Sequence, residues 1–284
     1  MTADSFILVD GRPADTVSAL DRGLMYGDGV FRTIRLEAGQ PLWWPEQLAK
    51  LAADAARLGI ACPPAELWRQ DVAQAAARWP TAALKLVLTR GTGKRGYAPP
   101  KSPEPTRVVV AGPLPAWPAA LWEEGANVRL CDLRLASQPL LAGVKHLNRL
   151  ENVLARAEWD DPAIHEGLLL DQAGHVICGI SSNVFIYRES ELLTPRLDRC
   201  GVAGVARARL IQRAAAGGLS VREAEFDLAA LLAADEVMLS NSLIGLWRVA
   251  RLGQRVWPEP AIYPEPSKGL ARTLAQWGDS TLFW

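Results

Sequence analysis

The sequence predicts an α/β protein of the α+β type, built as two domains, and three observations carry that reading. Short β-branched runs and amphipathic stretches follow one another without the strict strand–helix–strand rhythm of a doubly wound sheet. The segment Gly112-Pro113-Leu114-Pro115-Ala116-Trp117-Pro118 holds three prolines, which suit neither a central strand nor a helix interior. A chain of 284 residues is long enough for two modest cores. Placing the boundary in the proline segment gives domains 1–115 and 116–284.

Taken in order, Phe6 to Val9 is a short apolar run closed by the turn pair Asp10-Gly11, and Val30 to Leu36 alternates as a strand. From Pro45 to Leu58 the apolar positions Leu48, Leu51, Ala52, Ala55 and Leu58 recur at helical spacing, with Gly59 just beyond. A second helix is expected over Ala65 to Trp79, then strands at Leu84 to Thr89 and Arg107 to Ala111. Beyond the prolines, strands are expected at Asn127 to Leu130, Glu166 to Asp171, Val176 to Cys178 and Val184 to Tyr187. Helices are expected at Asn148 to Trp159 and Val205 to Ala216.

Charge and composition narrow the function classes. Lys plus Arg and Asp plus Glu both total 31, so no global positive field argues for nucleic acid or an anionic membrane, and any anion site must be local. The N-terminal stretch from Met1 to Gly11 lacks the basic and hydrophobic regions of a signal peptide, and no apolar run reaches the ~18 residues of a spanning helix. Four cysteines (Cys62, Cys131, Cys178, Cys200) without a C-x-x-C pair fit a reducing compartment. A cytoplasmic location is the expectation. Three histidines with no metalloprotease spacing, and no G-x-S-x-G, leave no metal site expected.

Gly91, Gly93 and Gly96 spell G-x-G-x-x-G after a strand, but Tyr97-Ala98-Pro99-Pro100 follows and cannot open the helix that a dinucleotide site requires. What remains is a loop with Arg90, Lys94 and Arg95, either a solvated basic loop or one that grips carboxylates. In Leu141-Ala142-Gly143-Val144-Lys145-His146-Leu147-Asn148-Arg149-Leu150-Glu151, Lys145 stands at an apolar entry to a helix. That helix is expected to bury Leu147, Leu150, Val153, Leu154 and Ala157. Such a lysine either snorkels to water or is desolvated, in which case its pKa falls and it becomes a nucleophile.

The string from Lys145 to Glu151 resembles the cofactor-lysine motif of the aminodeoxychorismate lyases, members of the fold-type-IV pyridoxal-phosphate enzymes together with branched-chain and D-amino acid transaminases. Four further blocks recur in that order. They are Asp21-Arg22-Gly23 with Tyr26 to Phe31, the loop Arg90 to Tyr97, Thr194 to Asp198 with Gly201 to Arg207, and Ala234 to Val237. The resemblance implies a two-domain, D-amino acid aminotransferase-like fold and pyridoxal 5′-phosphate held covalently on Lys145. The cofactor phosphate would lie at the helix start Gly204-Val205-Ala206, with Asn241 and Ser242 as further donors.

Two positions depart from the family pattern. Lys50 stands where the family has an arginine against the phosphate, so charge is kept but bidentate geometry is lost. Cys178 stands where a glutamate normally pairs with the pyridine nitrogen, and a mostly neutral thiol is a poorer partner. The enzyme is then weakened, helped by a nearby acid, or engaged in chemistry that tolerates a neutral ring.

The last case fits an α,β-elimination of pyruvate from 4-amino-4-deoxychorismate to para-aminobenzoate, because the departing group and the forming aromatic ring take up the electrons. The substrate class is a dicarboxylate, for which Arg95, Arg35 and Arg149 are the candidate anchors, with Tyr26 and His146 as orienting groups. A homodimer is implied by the same resemblance. The alternatives are a class-IV aminotransferase for D-amino or branched-chain acids and a catalytically silent relative.

Overall fold

The computed structural model describes residues 5–258. Residues 1–4 and 259–284, the outer ends of the two expected domains and the start of the N-terminal stretch read above, lie outside it. Within it the chain divides into two compact units. The first is Met1–Ala116 with Val144–Arg149, and the second is Trp117–Gly143 with Leu150–Trp284. The division thus falls one residue from the proline-based boundary. The lysine segment, however, expected in the second domain, groups with the first. Its contacts are with the first unit's sheet, where Val30 bridges His146, a pairing 116 residues distant in sequence that no local signal announces.

The first unit runs β1 (Phe6–Val9), β2 (Arg12–Pro13), α1 (Arg22–Tyr26), β3 (Gly29–Glu37), β4 (Gln40–Pro41), α2 (Trp44–Arg57), α3 (Ala65–Arg78), β5 (Ala82–Thr89) and β6 (Arg107–Gly112). Its six strands form one antiparallel sheet in the order β2-β1-β6-β5-β3-β4. The β1–β2 hairpin turns on Asp10 and Gly11, both at positive φ (50° and 80°), the pairing that matches strand twist. Along β3, Val30, Ile34 and Leu36 share one face and pack with Leu84, Leu86 and Leu88 of β5 under Leu51 and Ala55 of α2 and Trp68 and Val72 of α3. Two polar residues of α2, Gln47 and Asp54, lie on the same buried face, and Arg32 of β3 points to them.

The second unit comprises α4 (Ala120–Glu123), β7 (Ala126–Leu135), α5 (Leu150–Arg156), β8 (Glu166–Asp171), β9 (Val176–Gly179), β10 (Asn183–Arg188) and β11 (Glu191–Pro195). After these come α6 (Val205–Ala216), β12 (Ser220–Ala224), α7 (Leu228–Leu232), β13 (Glu236–Asn241), β14 (Gly245–Leu252) and β15 (Arg255–Val256). The sheet order is β12-β11-β10-β13-β14-β7-β8-β9, with β15 on β14. The pairs β11–β12, β14–β7 and β7–β8 are parallel and the rest antiparallel, a mixed sheet as α+β patterning expects.

Helix α5 corrects the sequence reading. It begins at Leu150 rather than Asn148, ends at Arg156, and leaves Leu150, Val153 and Leu154 exposed, with only Ala155 buried. Helical spacing puts those side chains on one face, but it does not say that the same chain covers it.

Candidate active site

In the first unit, the first residues of β3 pair with β5 on one side, and the lysine segment lies along their other side. Phe31 N donates to Lys145 O at 2.9 Å, Leu147 N donates to Gly29 O at 3.0 Å, and Val30 bridges His146. The approach is close enough that a Cβ on Gly29 would stand 2.6 Å from Leu88 O and 2.7 Å from Leu147 Cδ1, so glycine is required there by space. Asp54 adds a second tie, accepting from the Lys145 backbone N at 3.2 Å.

This clamp fixes the Lys145 amine 4.5 Å from the centroid of the Phe31 ring, which Lys85 also approaches at 5.0 Å. Burial drives the amine's pKa down, and the positive charges of Arg32, Arg149 and Lys85 add to the effect against Asp54, to about 7. Lys145 is thus the desolvated lysine, and near neutral pH about half of it carries a lone pair.

His146 is buried, and its pKa is pushed down to about 4 by burial and then by Arg149, so at neutral pH it is an uncharged imidazole. Arg149 Nη2 lies 2.6 Å and 3.0 Å from its two ring nitrogens. Asp54 joins three groups: Arg32 Nη1 donates to its Oδ2 at 3.4 Å, Lys50 Nζ donates to its Oδ1, and the Lys145 amide is the third. Lys50, the expected phosphate cation, is thereby oriented by a carboxylate one turn along its own helix, and its pKa falls chiefly through burial.

The first signature block and the basic loop also meet here. Asp21 caps α1 by accepting from Gly23 N at 2.8 Å, and its other oxygen accepts from Thr89 Oγ1 and Thr106 Oγ1. Asp28 binds Arg22 and Arg90 at once; burial alone would raise its pKa, but the two guanidiniums hold it below the usual carboxylate value. Arg90 also donates to Gly59 O at 2.8 Å and Leu58 O at 2.6 Å, the unpaired carbonyls at the end of α2. Of the basic loop's residues Arg90 is therefore buried and committed to structure, its guanidinium gripping the carboxylate of Asp28. Arg95 stays exposed, and Tyr26 Oη accepts from Gly96 N at 3.2 Å. Arg35 lies on the face of β3 opposite its apolar residues, 3.6 Å from Glu37.

The second unit contributes another polar cluster. Helix α6 starts at Gly204 with no side-chain cap, which leaves the first-turn N–H groups of Val205 and Ala206 as a natural seat for an anion. Its entry is fixed by Asn183, whose Oδ1 accepts from Gly204 N at 3.2 Å and whose Nδ2 donates to Val202 O at 2.8 Å. The preceding turn is organised by Glu166, which accepts from Ile180 N, Ser181 N, Ser181 Oγ and Ser182 Oγ. Burial nonetheless raises its pKa.

Asn241 spends its side chain on this framework, donating to Ser181 O at 3.1 Å and accepting from Leu243 N and Ile244 N. The side-chain phosphate contact expected of Asn241 is thus replaced by a turn-bracing role, while Ser242 follows it on the same turn, partly exposed. Cys178 lies in β9 opposite Leu169, buried against Cys131 and Ile177, and none of the four cysteines is in a disulfide. Arg207 joins two further signature blocks, donating to Thr194 Oγ1, Pro195 O and Glu223.

Sequence reasoning gave no role to Arg22, Arg32, Asp54, Glu166 or Asn183. Strand parity could have found Arg32, a charged residue in register with Val30, Ile34 and Leu36. For Glu166 and Asn183 the partners are distant in sequence, and for Arg22 and Asp54 the near partners Asp28 and Lys50 are joined by distant ones.

Each unit by itself carries a feature expected of a fold-type-IV pyridoxal-phosphate enzyme, a lysine of lowered pKa on the first unit's sheet and an uncapped helix start beside the second unit's mixed sheet. A model of the family "Amino-transferase class IV" matches residues 29–252, and the chain belongs to that family. Its cofactor is pyridoxal 5′-phosphate, and the half-buried Lys145 amine in the first unit and the uncapped start of α6 in the second are each groups of the kind that hold its aldehyde and its phosphate.

The chain is 38% identical over 241 residues to an aminodeoxychorismate lyase of Vibrio harveyi, covering 84% of this chain and 88% of that one. It is 33% identical to a putative branched-chain-amino-acid aminotransferase of Methanocaldococcus jannaschii, covering 84% of each. Among solved structures, the 4-amino-4-deoxychorismate lyase of Pseudomonas aeruginosa superposes with a TM-score of 0.89 at 44% identity, covering 95% of this chain and 97% of that one. A Mycobacterium tuberculosis hypothetical aminotransferase in its PLP-bound form shares the fold, with a TM-score of 0.81 at 23% identity over 98% of each chain.

Proposed function

We propose that this protein is a pyridoxal-phosphate-dependent lyase that eliminates pyruvate from 4-amino-4-deoxychorismate to give para-aminobenzoate. The observation that carries the reading is the Lys145 amine, buried with a pKa of about 7, in a chain similar over almost its whole length to lyases of that substrate. Lys145 would hold the cofactor, Lys50 and the Val205–Ala206 amides would hold its phosphate with Ser242, and Cys178 is the residue that would stand at its ring nitrogen.

Bound pyridoxal phosphate supplies the electron withdrawal that acidifies the carbon bearing the substrate amine. Lys145 would accept that proton, its amine being kept from holding a charge of its own by burial and the positive charges around it. The electrons left behind close the aromatic ring while the C–O bond to the enolpyruvyl group breaks, and that group leaves, gains a proton and becomes pyruvate. Arg95, Arg35 and Arg149 neutralise the two substrate carboxylates. Tyr26 and the uncharged His146 orient the substrate without adding charge beside the amine.

The product is a precursor for folate synthesis. A cytoplasmic homodimer agrees with the exposed Leu20, Leu24 and Met25 in the first unit and Leu150, Val153 and Leu154 in the second, an unusual amount of apolar surface for a monomer. The balanced charge leaves nucleic acid and membranes unsupported as partners.

The test is an assay of the purified protein with pyridoxal phosphate and 4-amino-4-deoxychorismate, quantifying pyruvate and para-aminobenzoate together. Equal yields that vanish in Lys145→Ala are expected. A cofactor-loaded protein that forms neither product, but makes pyridoxamine phosphate from D-alanine or leucine, is an aminotransferase instead.

A further inference from the structure

The loop after β5 bends so that three backbone carbonyls converge on one side chain. Arg22 Nη1 donates to Gly96 O at 3.0 Å and to Ala98 O at 3.4 Å, and Nη2 donates to Tyr97 O at 2.9 Å. The guanidinium is held from behind by Asp28 at 2.8 Å and lies 4.9 Å from the centroid of the Tyr26 ring. A Cβ on Gly93 would come within 2.9 Å of Arg22 Cδ, so the start of the loop is also moulded to this side chain. Arg22 is 4% exposed, whereas Lys94 to Ala98 are exposed. Three carbonyl oxygens pointed at one place repel one another unless a cation with several donors sits between them, and only a planar fork serves all three while also binding Asp28.

We propose that Arg22 is the positioning residue of substrate capture: it holds the 93–98 loop in the one shape that presents Arg95 to a substrate carboxylate. This rests on the lyase reading above, in which Arg95 neutralises that carboxylate. Arg22 touches no substrate in this scheme. Its contribution is to remove the loop's freedom before binding, so that the ordering cost is not charged against affinity. Its effect falls on KM rather than on the proton transfer at Lys145, which has its own support in Asp54 and β3.

The test compares Arg22→Lys, Gly96→Ala and Arg95→Ala in the cofactor-loaded enzyme. Lysine keeps a charge for Asp28 but cannot serve three carbonyls. Gly96 has a φ of +110°, where an alanine is strained although open space surrounds its Cβ, so that variant disturbs the loop from the acceptor side, at a carbonyl that Arg22 binds, and keeps the arginine itself. Arg22→Lys and Gly96→Ala are each expected to raise KM for 4-amino-4-deoxychorismate about tenfold, the scale of one or two lost charge-assisted hydrogen bonds, with kcat within about threefold. The visible absorbance of bound cofactor stays the same, and trypsin cleaves after Lys94 and Arg95 several times faster.

A raised KM in Arg95→Ala with an unchanged KM in both loop variants, despite faster cleavage, overturns the role given to Arg22 and leaves the lyase reading intact. An unchanged KM in Arg95→Ala overturns instead the carboxylate role of Arg95. If Arg22→Lys loses its cofactor absorbance, Gly96→Ala alone decides by the same criteria.

Discussion

Arg32 and Asp54 form an ion pair at 3.4 Å with side chains only 3% and 1% exposed, one on β3 and the other on α2, directly behind the backbone of Lys145. Both charges reach the Lys145 amine with opposite sign: Arg32 lowers its pKa and Asp54 raises it. Only the uncharged amine accepts a proton, so kcat should rise with pH through about 7 in the natural protein. Arg32→Gln removes a positive charge, so the rising limb moves to higher pH; Asp54→Asn removes a negative one and moves it lower. The pH profile of kcat, which reports the substrate-bound enzyme, checks both signs. Coincident limbs in all three proteins would sink this assignment. Asp54→Asn should also unfold more easily, by about 3–5 kcal/mol, because it leaves the buried Arg32 without its carboxylate, whereas Arg32→Gln should lose less, since Asp54 keeps Lys50.

Gly29 is where the lysine segment lies closest to the sheet. In Gly29→Ala the added methyl meets Leu88 O and Leu147 Cδ1 well inside contact distance, and the side of least resistance is the lysine segment, which two hydrogen bonds hold to β3. An absorbance titration with pyridoxal phosphate should show cofactor affinity lower by about tenfold or more, with a stability loss of about 1–3 kcal/mol. Unaltered cofactor affinity in a stable Gly29→Ala protein would mean that the β3 pairing does not place Lys145.

Much of this site was legible in the sequence as composition and much less as contact. Strands β1, β3 and β5 to β10 and the helix that starts at Val205 follow from local spacing, whereas β2, β4 and β11 to β15 are not announced by it and the role of Lys145 rests on the family resemblance. Arg90 and Arg95 belong to one basic loop and look alike in sequence. They part because Arg90 is the first residue after β5, within reach of Asp28 and the end of α2, while Arg95 lies five residues further along the exposed loop. The face of α5 was readable as a face. What covers it was not, because periodicity groups Leu150, Val153 and Leu154 without naming the surface opposite. Arg32 with Asp54, and Glu166 with Ser181, are buried polar pairs whose partners lie 22 and 15 residues apart, and no single-residue signal links them.

Glu166 should report on the phosphate side alone. Glu166→Ala leaves the amides of Ile180 and Ser181 and the hydroxyl of Ser182 without their acceptor, at about 1–3 kcal/mol for each buried donor left unpaired. The turn that leads to Asn183 and Gly204 should loosen, lowering both melting temperature and cofactor affinity, while the rising pH limb set by Lys145 stays in place. Glu166→Gln keeps an acceptor oxygen and should lose less of both. Calorimetry and cofactor titration read the two effects, and a pH limb that moves in Glu166→Ala would contradict the division.

Cys178 offers the sharpest distinction between lyase and aminotransferase chemistry. Transamination needs a proton delivered to the cofactor and a ring that stores electrons deeply, which a carboxylate at the ring nitrogen favours. In the elimination, aromatisation and the departing enolpyruvyl group take the electrons instead. Cys178→Glu should therefore raise the formation of pyridoxamine phosphate from D-alanine or leucine by about tenfold, equivalent to ~1.4 kcal/mol in the barrier, and leave para-aminobenzoate formation within about threefold. Because Cys178 packs against Leu169, Ile177 and Cys131, the larger side chain will also lower the melting temperature, so rates are compared per cofactor-loaded site. Fast transamination in the natural Cys178 protein that falls on introducing the carboxylate would overturn the assignment of this position to the ring nitrogen, and with it the reason for preferring elimination.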